Sequence, residues 1–192
     1  VMTNASIDKA QALNVVNGFI DMQGASQLYL KSGDILNDTN ISTVESAVIN
    51  YTASESAPDI KLANTFTHAG ILNAQDGVIS TISVNNLVSG NGSIYLDVDS
   101  VNNTSDVLKV NNSASGTINV KLSNGEVLNN EGVKIKFAET AATDSGFNFA
   151  FQNDDTVYTL ETVKEEKDGV LSWYLYHGGS VRAEVVNYLM LP

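Results

Sequence analysis

The sequence predicts an all-β protein, and three observations carry that reading. Apolar and polar residues alternate with a period of two along nearly the whole chain. Turn signals recur at short intervals: Asn17-Gly18, Ser32-Gly33-Asp34, Asp76-Gly77, Asn124-Gly125, Asp168-Gly169 and Gly178-Gly179. No convincing amphipathic helix breaks the pattern, the weak exception being Val181 to Leu191.

Taken in order, the expected strands are Leu13–Val16, Phe19–Met22, Gln27–Lys31, Ala47–Tyr51, Asp59–Leu62 and Val78–Val84, each a short alternating run bounded by Gly, Asn or Ser. Then come Ser93–Val98, Asp106–Val110, Thr117–Leu122, Val133–Phe137 and Phe147–Phe151. A final pair, Thr156–Val163 and Leu171–Tyr176, reads as a hairpin joined by Lys164–Val170, a charged and solvated tip. Such strands fit a sandwich, a barrel or a solenoid. Two features favour the solenoid. Asn-rich turns can stack and bond along an axis, and loose repeats of roughly twenty residues match one rung. Leu13–Gly18 compares with Leu87–Gly92 in this respect. After residue 90 strands lengthen and aromatics gather. A solenoid needs its terminal sheet edge covered, and a hairpin bearing Tyr158, Trp173 and Tyr174 suits that task.

Composition narrows the function classes. Hydrophobic residues at 43% suit a folded protein, while charged residues at 17% are few, polarity coming from Asn, Ser and Thr. The net charge of −12 and pI near 4.3 oppose binding to nucleic acid or an anionic membrane. Without cysteine there is no disulfide, thiolate metal site or cysteine nucleophile. No apolar run reaches transmembrane length, and the start Val1-Met2-Thr3-Asn4 lacks a signal pattern, so the chain reads as a segment of something longer.

Gly90–Asp99, Ser105–Val110, Ala114-Ser115-Gly116, Val157–Leu160 and Trp173-Tyr174-Leu175 follow one another in an order and spacing that resembles the C-terminal end of passenger domains in Gram-negative autotransporters of the pertactin-like group. The close, Val181–Leu189, looks like the linker towards a membrane barrel, with Ala183 where proline is common. This implies a right-handed parallel β-helix capped C-terminally by longer strands and a hairpin. It divides the chain into rungs over 1–87, an autochaperone-like cap over 88–180 and a linker over 181–192. It also implies a non-enzymatic stem and folding module of an adhesin or virulence factor, at the bacterial surface or secreted after crossing the periplasm and outer membrane. Its partners would be its own outer-membrane barrel and the upstream rungs, with a host surface or neighbouring passenger beside them, and no nucleic acid. No cofactor or metal is expected. The residues expected to build the folding cap are Tyr95, Leu96, Val98, Leu108, Val110, Tyr158, Leu160, Trp173 and Leu175, with the indole packed against aliphatics such as Leu160 or Leu175.

Other chemistry is thinly represented. His68 and His177 lie far apart, and no serine stands in a nucleophile-elbow setting. Asp97, Asp99 and Asp106 could serve a calcium site or a carboxylate pair, but Asn102 and Leu108 break the EF-hand pattern and solvent-facing strand carboxylates are the plainer expectation. Tyr29, Tyr51, Tyr174 and Tyr176 are either a sugar platform or, more plainly, half-buried strand residues. Sequons at Asn4, Asn37, Asn40, Asn50, Asn91 and Asn103 are expected by chance in so Asn-rich a chain. The competing functions are a carbohydrate-active β-helix, either lyase or tailspike-like hydrolase, and a self-association module.

Overall fold

A computed structural model describes residues 1–8, 12–123, 133–143, 146–151 and 158–181. They form an all-β parallel solenoid of about five turns, consistent with the expected right-handed β-helix. The first turn holds β1 (Met2–Thr3), β2 (Ser6–Ile7) and β3 (Asn14–Val16). The second holds β4 (Phe19–Gln23), β5 (Gln27–Lys31) and β6 (Ile35–Asn37). Next come β7 (Asn40–Thr43) and β8 (Val48–Thr52), then β9 (Ile60–His68), β10 (Ile71–Asn73) and β11 (Thr81–Leu96). A side hairpin of β12 (Val98–Asp99) and β13 (Thr104–Ser105) precedes β14 (Val107–Leu122). The chain closes through β15 (Lys134–Ala141), β16 (Asn148–Phe151), β17 (Tyr158–Lys167) and β18 (Val170–Val181).

The registers show three faces per turn. On the first face Ile20, Ile41, Phe66, Leu87 and Ala114 stand in one column. On the second, Leu28, Ile49, Leu72, Ile94, Val120 and Phe151 do so. On the third, Ile60, Ile82, Leu108 and Ala138 are aligned. Successive strands lie about 4.8 Å apart, so each apolar side chain sits on its counterpart in the next turn. The stacks meet inside as one continuous core. The strands β9, β11 and β14 pass round corners without interruption, and the ladder of β11 with its neighbours shifts register there.

The repeat of about twenty residues is present, since Met2 faces Met22 and Asn14 faces Ile35. Its expected alignment was not: Leu13–Gly18 leads into the first face, whereas Leu87–Gly92 leads into the second. The turn lengthens towards the C-terminus, with Asn86 opposite Ser113 and Leu108 opposite Ala138. The stacked asparagines are found where the third face turns into the first. Asn85 donates to Asn64 at 2.9 Å and Asn111 donates to Asn85 at 3.3 Å. A second pair, Asn73 onto Asn50, lies on the second face. Two of the sequon asparagines, Asn4 and Asn40, accept backbone N–H groups of the next turn.

The corner between the first and second faces is organised by a buried histidine. His68 Nε2 lies 2.9 Å from the carbonyl of Ser93, which only accepts, so Nε2 carries the proton. Nδ1 therefore accepts from the Thr43 hydroxyl at 3.1 Å, and the same oxygen receives Ala69 N–H and Gly70 N–H. Gly92 passes over this ring so closely that a Cβ there would sit 2.3 Å from His68 Cδ2. Gly92→Ala should cost about 1–3 kcal/mol by overpacking, read as a lower denaturation midpoint. In a His68→Ala background the same change should cost almost nothing, because the ring it strikes is gone.

Candidate functional site

At the C-terminal end the solenoid changes from parallel to antiparallel pairing. β15 joins β14 in parallel, then β18 runs antiparallel on β15 with Ile135 opposite Leu175 and Ala138 opposite Trp173. β17 pairs outside β18 and is the last strand on this face among the described residues. The turn between them is shorter than expected. Lys167 faces Val170, so only Asp168 and Gly169 lie between the arms, with φ of 52° and 77°. Positive φ at both positions is the two-residue turn that Asp-Gly favours. The charged run Lys164–Lys167 is thus strand and not loop. It lies on the outermost strand, where charges oppose pairing with another sheet.

Beneath this hairpin lies an aromatic cluster. Trp173 is fully buried and its Nε1–H donates to Thr140 Oγ1 at 2.8 Å. Its ring meets Phe149 edge to face at 4.9 Å, and Phe147 at 6.0 Å. Phe149 in turn contacts Phe137 and Phe147, and Phe137 contacts Phe151. Lys164 Nζ stands 4.0 Å above the indole, so the edge strand covers the cluster with a cation. Four Phe, a Trp and a satisfied N–H fill the end of the core where the next turn would otherwise stack.

The structure places the expected cap residues unevenly. Leu96, Leu108, Val110, Trp173 and Leu175 are buried, and Val98 is half-buried at the side hairpin. Tyr95 points outward on the second face, with Lys121 Nζ 5.8 Å over its ring. The side chains of Tyr158 and Leu160 lie outside the described residues, as does the linker beyond Val181. Sequence reasoning missed the phenylalanines. Phe147 and Phe149 alternate on one short strand, and that spacing was the available signal.

The acidic residues have a different role from the one expected. Asp97 and Asp106 are buried, not solvent-facing. Asp97 Oδ2 accepts Asp76 N–H at 2.6 Å and Gly77 N–H at 2.5 Å. Asp106 accepts the N–H and hydroxyl of Ser80 and the N–H of Asp97. Asp99 binds the N–H groups of Val101 and Asn102, holding the side hairpin's loop. A polar cleft of about 440 Å³ lies against Glu55, Asp97 and Asp99, but no group of metal-binding residues occurs among those described. The tyrosines do not assemble into a platform. Tyr51 is buried and donates to the Pro58 carbonyl at 2.6 Å, while Tyr29 and Tyr174 lie on different faces.

Burial pushes the Asp106 carboxyl up to about 6, against the pull of its three hydrogen bonds, and lowers His68 to about 4. The signs are opposite. The neutral histidine's contribution is intact above its unfolded value of 6.5 and is lost as pH falls towards 4. The cost of ionised Asp106 is present above about 6 and is relieved as pH falls towards 3.8. Each amounts to about 3 kcal/mol, so the two largely offset in the native chain. Asp106→Asn leaves the histidine unopposed. Its unfolding free energy should drop by about 3 kcal/mol between pH 7 and pH 4, several times the wild-type change in the same urea titrations.

Trp173→Ala should cost about 3–5 kcal/mol, seen as a lower urea midpoint. Trp173→Phe, which keeps the ring contacts but leaves Thr140 without its donor, should cost less.

Residues 58–177, more than half of the chain, match the family model described as Pertactin, and the span runs from β9 to the middle of β18. No curated protein matches the chain. The parallel solenoid and this match agree with the resemblance read from Gly90 to Leu175, and the chain belongs to the Pertactin family as a pertactin-like autotransporter passenger region.

Proposed function

We propose that the chain is a non-enzymatic stem and folding module of an autotransporter passenger, in which residues 88–180 act as the folding cap for the turns behind them. The observation that carries this reading is the closed end: an antiparallel hairpin over a five-ring cluster, joined to an otherwise parallel solenoid. In a stack whose stability sums local and nearest-neighbour terms, the end with the largest buried side chains is the natural seed. Folding from that end outside the membrane opposes slippage back through a pore. The division at residues 87 and 88 is functional and not structural, because β11 and the core run straight through it.

A non-enzymatic role is supported by how the carboxylates are spent. Asp97 and Asp106 are buried and their oxygens are taken up by backbone N–H groups of the corners, a structural use of both side chains. Display at the cell surface or release from it, as an adhesin or virulence factor, follows from the same reading, with the outer-membrane barrel and upstream turns as partners.

Deleting residues 158–181, the hairpin alone, from a full-length passenger tests the role. Protease-resistant passenger at the cell surface should fall by at least about tenfold, while barrel insertion, followed by heat-modifiable migration, stays unchanged. Display and protease resistance at wild-type levels would end the folding-cap reading.

A further inference from the structure

The outer surface of the third face carries a second feature, which the folding role does not use. Between the side hairpin β12–β13 and the outer face of β14, β15 and β18 lies a recess of about 350 Å³. Its floor is Ile79 and Val107, one wall is Tyr174, and the roof is formed by Asn103 and Thr104. Lys134 and Lys136 border it, two residues apart on β15 and so on the same side of the strand. The volume falls within the roughly 300–1,000 Å³ typical of small-molecule sites.

Its chemistry is unusual for this protein. The chain has 22 acidic residues and 10 basic ones, yet among the described residues this recess is lined by two lysines and no carboxylate. Each lysine already has a partner outside the recess: Lys134 with Glu165, and Lys136 with Glu139 at 2.8 Å. Those contacts fix both stems and leave further N–H donors on each ammonium. Lys134 Nζ also lies 4.2 Å from the centre of the Tyr174 ring, which ties the cation to the aromatic wall. The roof is held in place, since Asp99 fastens the loop of the side hairpin and the Ser105 hydroxyl donates to the Lys136 carbonyl at 2.8 Å.

We infer that this recess binds a sugar ring bearing a carboxylate, such as a uronate. The carboxylate meets Lys134 and Lys136, the ring's C–H face lies against Tyr174 and the apolar floor, and the hydroxyls reach Asn103 and Thr104. A neutral sugar lacks the charge-assisted pair. A small carboxylate lacks the ring that fills the floor. Both parts are therefore required.

Calorimetric or chemical-shift titration of the chain with sodium glucuronate, glucose and sodium acetate at equal ionic strength tests this. Glucuronate should saturate, moving the amides of Thr104, Lys136 and Tyr174, with glucose and acetate each at least about tenfold weaker. Lys136→Gln and Tyr174→Ala should each weaken glucuronate by about tenfold or more with the fold intact by circular dichroism. Lys121→Gln, a charge change beside Tyr95 on the second face, should leave binding unchanged. Should Tyr174→Ala fail to fold, Lys136→Gln carries the test alone. Failure of glucuronate to saturate, acetate binding as well as glucuronate, or equal loss in Lys121→Gln would overturn the assignment.

Discussion

A stack of parallel turns leaves a row of unpaired N–H and C=O groups at its end, and the architecture depends on how that edge is closed. Within the stack every strand is hydrogen-bonded by the turns above and below, and its apolar side chains continue the columns of its neighbours. At the end neither condition holds. Here the edge of β14 on the third face is met by β15, and the chain then reverses, so that β18 and β17 finish the sheet antiparallel. The large residues do what another turn would have done: Trp173 and the phenylalanines Phe137, Phe147, Phe149 and Phe151 fill the space inside. The final edge is Lys164–Lys167, whose charges make it a poor template for a further strand.

The corners pose a smaller version of the same problem. Where the chain turns from one face to the next, backbone N–H groups point along the axis with no strand to receive them. Side-chain oxygens take their place. Leu13 N–H is held by Asp34, Ala53 N–H by Asp76, Asp76 and Gly77 N–H by Asp97, and Val98 N–H by Ser123. In each case the acceptor comes from the following turn, so the contacts lock neighbouring turns in register. This gives a structural use for part of the acidic excess. Asp97, accepting two N–H groups, and Asp106, accepting two N–H groups and a hydroxyl, are held inside the protein by these bonds, at the cost that burial imposes on Asp106.

Much of this was legible in sequence, and the exceptions have physical causes. The longer strands of the second face read clearly because they carry apolar residues facing inward, as in Leu28 and Leu30 of β5, which was delimited to the residue, whereas the short β2 and β10 were not foreseen. The first face was largely missed. Its inward positions pair one apolar residue with a polar one: Ile41 with Thr43 and Phe66 with His68. A four-residue strand with half its buried positions polar shows no alternation of hydrophobicity. Those polar positions are the Thr43–His68 network, visible only once two turns are stacked. The Asn ladder was foreseen because stacking demands it. The burial of Asp97 and Asp106 was not, because nothing in an acidic strand end distinguishes a carboxylate facing water from one facing a backbone N–H. At the cap, Trp173 was expected against aliphatics such as Leu160 or Leu175, and its ring contacts with Phe147 and Phe149 were not foreseen.

On the proposed folding role, the C-terminal end is the most stable part of a one-dimensional stack and the place from which order spreads. Native-state hydrogen exchange, followed residue by residue in dilute denaturant, tests that gradient directly. The Trp173 indole N–H and the amides of β15 and β18 should exchange only through global unfolding. Protection should then decline stepwise along the second face from β14 through β11, β10, β8 and β5 to β2. Uniform protection along the stack, or a gradient rising towards β2, would contradict the account.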